Sequence, residues 1–156
     1  MAEWDTALQS LTFKNLLEAM GIERESNTDE TIPITNDEVT GEHFKKALVW
    51  MEKNRRKPIV QNDAYEDEPV HWNQLDDWEK KFVDIPVSEM FPLLITANFL
   101  EIPGLLNLMC KAVALQIQGK SVEEIRTTFN VEDPKWSPEE LQKLKEENAW
   151  AYETKK

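Results

Sequence analysis

Pro103-Gly-Leu-Leu-Asn-Leu-Met-Cys-Lys-Ala-Val-Ala-Leu-Gln-Ile-Gln-Gly-Lys-Ser-Val-Glu-Glu-Ile-Arg-Thr-Thr-Phe-Asn130 is the stretch on which the fold turns. Its first half predicts a helix over Leu105 to Ile117 with Pro103 at N1, where a missing N–H costs least, and a stop at Gly119. That helix is apolar nearly all round and is therefore expected to be buried on several sides. Ser121-Val-Glu-Glu124 then reads as a capping box that opens a short helix with Val122, Ile125 and Phe129 on one face. A second box, Ser137-Pro-Glu-Glu140, opens a last helix in which only Leu141, Leu144 and Trp150 are strongly apolar. Burial so sparse scarcely offsets an ordering cost of about 1–2 kcal/mol per residue. The last third thus holds more apolar faces than a small core can fill, and surplus of this kind belongs to a partner.

Upstream, Phe13, Leu16, Leu17 and Met20 repeat at helical spacing between an N-cap at Ser10 and a left-handed stop at Gly21. Phe44, Ala47, Leu48 and Met51 do the same in a helix beginning near Thr40, with Lys53, Arg55, Arg56 and Lys57 at its negative pole. Ile32-Pro33-Ile34 alternates around a proline and suits a short edge strand. Lys57 to Val70, with two prolines and an acidic run, is expected to be a mobile surface loop. Beyond it Leu75, Trp78 and Phe82 share a face. Ser88 or Glu89 opens a helix running to about Leu100, which puts Pro92 in or just beyond its first turn.

The composition restricts function. A chain of 156 residues with 40% apolar content supports one domain with an appendage. Eighteen basic against 30 acidic residues give a net charge of −12, which repels phosphate backbones and anionic membranes, so no nucleic-acid or membrane partner is expected. The lone Cys110 sits in an apolar run and reads as a buried structural thiol in a reducing compartment. Met1-Ala-Glu-Trp-Asp5 lacks the pattern of a signal peptide, which places the chain in the cytosol or nucleus. His43 and His71 have no second ligand at metal spacing, and four glycines build no phosphate loop, so neither metal nor cofactor is expected. The pairs Asp76-Asp77, Glu123-Glu124 and Glu139-Glu140 point about 100° apart on a helix, and first-turn dipoles account for two of them better than acid–base chemistry does. Six scattered tryptophans form no stripe and read as core or interface anchors.

Several segments carry a resemblance: Trp78-Glu-Lys-Lys-Phe82, Ala97-Asn-Phe-Leu-Glu-Ile-Pro-Gly-Leu-Leu106, Cys110-Lys-Ala-Val-Ala114, Gln118 to Arg126, Thr128-Phe-Asn130 and Glu147-Asn-Ala-Trp150. With Gln9 to Lys14, Leu17-Glu18 and Lys45 to Trp50, they resemble the Skp (S-phase kinase-associated protein) adaptor family of SCF ubiquitin ligases over most of Asp5 to Trp150. The resemblance implies an α/β fold class: a BTB/POZ-like core over residues 1–100, followed by a C-terminal helical extension over residues 101–156. It also implies a non-catalytic adaptor whose partners are a cullin N-terminal domain and an F-box protein. Asn98 and Phe99 match the family's cullin contact, with Phe99 in place of the usual tyrosine. Met109, Val113 and Ile117, then Val122, Ile125 and Phe129, and finally Val131, Trp136 and Trp150 fall in the F-box-binding segments.

Three departures from the family pattern stand out. Met1 to Trp4 are too few for the family's opening β-hairpin, so the sheet is expected to be small and truncated, with an exposed edge. Pro92 enters a family helix, and Asp133-Pro-Lys135 adds a residue before Trp136. The alternative reading is a divergent scaffold that binds F-box-like proteins, or a homodimer formed through that edge, without a cullin.

Overall fold

The computed structural model describes residues 4–24, 31, 33–59, 71–132 and 135–148. Among them the chain forms eight α-helices: α1 (Trp4–Ala7), α2 (Leu11–Ala19), α3 (Gly41–Asn54), α4 (Asp77–Val83), α5 (Val87–Phe99), α6 (Pro103–Ile117), α7 (Val122–Phe129) and α8 (Pro138–Glu147), with a 3-10 turn at Trp72–Gln74.

Local chemistry sets most boundaries. The Ser10 hydroxyl accepts the Phe13 N–H at 3.1 Å and starts α2, and Gly21 follows its end at φ +65°. Thr40 caps α3 in the same way. Asp76 and Glu79 form a capping box at α4, where each side chain accepts the other's backbone N–H at 2.7 and 2.9 Å. Ser121 with Glu124 and Ser137 with Glu140 repeat that device at α7 and α8, and Asn130, left-handed at φ 51°, closes α7.

The core lies where α5 packs on α6 and α3. Trp50 and Met51 of α3, Met90, Leu93 and Ala97 of α5, and Leu105, Leu108, Met109 and Ala112 of α6 are buried, with Leu75 and Val83 closing it near α4. Gly104 sits against the Trp50 indole so closely that a Cβ there would lie 2.5 Å from Cη2. The Lys46–Glu89 ion pair ties α3 to α5 at the rim. One core therefore runs across residue 100.

The α/β expectation is overturned. Among the described residues there is no strand and no sheet, so the BTB/POZ-like sheet, its truncated remnant and the exposed edge are absent from them. Pro33 and Ile34 are irregular, and Ile32 lies outside the described residues. A three-residue segment with a proline at its centre lacks an N–H to donate, and a lone strand without partners has nothing to hold it. Of the loop expected over 57–70, residues 60–70 lie outside the described residues. Helix α5 starts at Val87, just before the expected start, so Pro92 is its sixth residue, inside the helix and just beyond its first turn. The Thr96 hydroxyl donates to the Pro92 carbonyl at 2.8 Å one turn later.

Candidate partner-binding surface

No described residue beyond Ala112 is buried. The second half of α6 is nevertheless helical, and α7 and α8 are opened by capping boxes, so the backbone is ordered by its own hydrogen bonds while several apolar side chains remain uncovered. Val122 is 60% exposed, Val131 56%, Trp136 46% and Ile117 39%. Leu141 and Leu144 of α8 are exposed as well. A segment of this composition in water loses the roughly 25 cal/mol per Å² that burial would return.

The residues singled out from the sequence do not all share this condition. Val113 packs partly against the core, and Ile125 and Phe129 are half-buried. Phe129 rests on Phe91 of α5, ring centres 5.6 Å apart, which anchors α7 to the core helices. Met109 is fully buried and underlies the surface. Spacing alone does not separate it from Val113, because both follow the α6 stripe and only the position of α5 decides which is covered. Trp150 lies outside the described residues.

Phe91 and the α8 pair Leu141 and Leu144 belong to the uncovered surface although the sequence reading assigned them no site. The signal for Leu141 and Leu144 was their apolar spacing on a polar helix. For Phe91 there was little signal, since it sits among apolar residues of a buried helix.

At the other end of α5, Asn98 is exposed and Phe99 packs partly into the core. The turn that follows is sewn to the start of α2 by three bonds. The Leu11 N–H donates to the Glu101 carbonyl at 2.9 Å, the Thr12 hydroxyl to that of Phe99 at 3.2 Å, and the buried Ser10 hydroxyl to that of Leu100. Glu101 adopts φ 46°, a left-handed conformation that these bonds hold. Asn98 is thus presented from a fixed corner.

Electrostatics serve the helix ends. Hydrogen bonds from Ser121 hold the Glu124 carboxyl below the usual glutamate range, those from Ser137 do the same for Glu140, and the Glu79 N–H lowers Asp76. Cys110 is exposed, contrary to the buried thiol expected, while partial desolvation raises its pKa and leaves it a poor nucleophile. Among the described residues no three of His, Cys, Asp and Glu cluster as metal ligands. No single described helix is long and apolar enough to cross a membrane.

Residues 103–151, the segment that contains α6, α7 and α8, match the family described as Skp1 family, dimerisation domain. Over its length the chain is similar to the E3 ubiquitin ligase complex SCF subunit sconC of Arthroderma benhamiae, 36% identical across 97% of this chain and 87% of that protein. The subunit of the same name from Aspergillus terreus is 38% identical across 96% and 87% respectively. A Skp1-related protein of Caenorhabditis elegans is 37% identical across 90% of this chain and 78% of its own. By matched segment and by similarity over nearly its whole length, the chain belongs to the Skp1 family.

Proposed function

We propose that this chain is a non-catalytic adaptor subunit of an SCF-type E3 ubiquitin ligase, which bridges an F-box substrate receptor to a cullin scaffold. The observation that carries the reading is the boundary at Ala112: helices that are capped and formed yet bury no residue among those described. Such a surface is completed by folding a partner's apolar helix against it. Val122, Val131 and Trp136 would be the first to be covered, with Val113, Ile117, Ile125 and Phe129 beneath or beside them; Trp150 is added to this set by its match to the family pattern alone. Met109 supports them from the core.

On this reading Asn98 and Phe99 face the cullin. Asn98 supplies the exposed polar contact, and Phe99, already half-packed, sets the corner that presents it. The division into residues 1–100 and 101–156 assigns one surface to each partner, with α6 shared between core and extension. Work of this kind belongs in the cytoplasm and nucleus.

Calorimetric titration of the full chain with an F-box peptide, and separately with a cullin N-terminal domain, tests the proposal. Saturable binding of both, simultaneously in a three-component mixture, is expected. Binding of neither, or a stable homodimer that excludes the F-box peptide, would refute it.

A further inference from the structure

The end of α3 concentrates positive charge that neither the core nor the proposed adaptor surfaces use. Lys53, Arg55, Arg56 and Lys57 fall within five consecutive positions of a chain whose net charge is −12. A helix C-terminus carries about half an elementary negative charge, which one cation would answer, and three of the four stand beyond Asn54, where α3 ends. Around them opens a hollow of about 500 Å³ walled by Val49, Glu52, Lys53, Arg55, Arg56 and Trp78.

Its apolar part is fixed and uncovered. Val49 is 53% exposed. Trp78 is stacked on Phe82 with ring centres 4.9 Å apart and planes within 20°, so its indole is held in place. The Lys53 ammonium lies 5.8 Å from the Trp78 ring centre. Of the neighbouring carboxylates, Glu52 stands in the wall, whereas Asp76, which senses Lys57 and Lys53, already caps α4 through the Glu79 N–H. Among the described residues Lys53, Arg56 and Lys57 outnumber these two carboxylates, and the hollow has a hydrophobic wall.

We infer that this hollow is a docking site for an acidic peptide segment of a partner protein. One aliphatic or aromatic side chain seats between Val49 and Trp78, and flanking carboxylates pair with Lys53 and Arg56. Charge complementarity selects the occupant: a chain of net charge −12 repels anions as a whole, so an acidic segment is steered to a basic turn such as this. The apolar wall favours a peptide over an inorganic anion, which has nothing to place there. The site draws on α3 and α4, which contribute none of the residues proposed to meet the F-box, so it extends the adaptor reading without depending on it.

The test is fluorescence anisotropy of a labelled Asp-Glu-Asp-Leu-Phe-Glu-Asp-Glu peptide titrated with the full chain at about 50 mM salt, where such pairing is weakly screened. Saturable binding is expected, weakened at least about tenfold by K53E/R56E, several-fold by Val49→Ser, and at least about tenfold by about 0.5 M salt. All three side chains are exposed, so melting curves should be unchanged, and K53E/R56E should bind an F-box peptide as the parent does. Equal binding by K53E/R56E, or no saturation up to about 1 mM peptide, would overturn the inference. So would binding that emerges only when Asp63, Glu66, Asp67 and Glu68 are changed to amides, because the hollow would then belong to the chain's own acidic stretch.

Discussion

Trp136→Ala separates binding from folding in this chain. A tryptophan presents up to roughly 250 Å², and 46% exposure leaves on the order of 115 Å² for a partner to cover. At about 25 cal/mol per Å² this corresponds to about 3 kcal/mol, or about a hundredfold in Kd, in line with the ~2–4 kcal/mol typical of an aromatic anchor. The free chain should lose far less, because Trp136 lies between α7 and α8, neither of which has a buried residue. A change within about 1 kcal/mol is expected there. Isothermal titration with an F-box peptide measures the first quantity and a thermal melt of the free chain the second. An unchanged Kd, or a large fall in Tm with normal binding, would show that Trp136 is an internal packing residue and that the uncovered surface is not the binding surface.

Four further outcomes are expected. Asn98→Ala should weaken retention of a cullin N-terminal domain on a pull-down column while leaving F-box affinity within about tenfold, since separated surfaces contribute independently; loss of both would put Asn98 on the wrong face. Gly104→Ala, which raises helix propensity elsewhere by about 1 kcal/mol, should instead lower stability by about 1–2 kcal/mol in a urea titration. The added Cβ meets the buried Trp50 ring at 2.5 Å, and overpacking of this kind outweighs the propensity gain. Amides of α8 should exchange rapidly in the free chain and slowly with an F-box peptide bound. Acidification should loosen α7 and α8: Glu124 and Glu140 have folded pKa values below their unfolded ones, so their caps stabilise fully above the usual glutamate pKa and fade as pH falls through the lowered values. Glu124→Gln should remove that dependence from α7 amide exchange and leave it in α8.

Helix ends were legible in the sequence because their chemistry is local. Ser10, Thr40, Ser121 and Ser137 cap where their spacing to the first apolar residues indicates, and Gly21 and Gly119 take the left-handed turns expected of them. Asp76 with Glu79 carries the same signal, although the sequence reading pairs Asp76 only with Asp77. Depth was not legible. Met109 and Val113 sit on the same apolar helix, yet one is fully buried and the other only partly, because exposure depends on what α5 covers across a sequence separation no local window spans. The sheet was inferred from resemblance, not from an alternating pattern, and Ile32-Pro33-Ile34 was too short and too proline-bound to supply one. The exposure of Cys110 has the same cause as the burial of Met109: adjacent residues on α6 face opposite environments.

Helix α5 links the two proposed surfaces. Phe91 near its start holds Phe129 and so positions α7, while Asn98 near its end stands at the corner bonded to α2. Seven residues at 1.5 Å each separate them by about 10 Å along the axis, with Leu93 and Ala97 locked in the core between. On the proposed function, a rod of two turns would fix the angle between an F-box partner and a cullin without any contact between them. Pro92 lies within that rod and removes one N–H that would have bonded back to Ser88. Because Ser88 is at the exposed face of the first turn, water can satisfy its carbonyl, and the loss falls on the end of the helix rather than on the buried span that joins the two surfaces. Pro92→Ala should therefore stabilise the chain, as seen by an increase in Tm, and leave both partner affinities within about threefold. A large shift in either affinity would mean that the proline bends α5 and that the bend itself sets the geometry of the bridge.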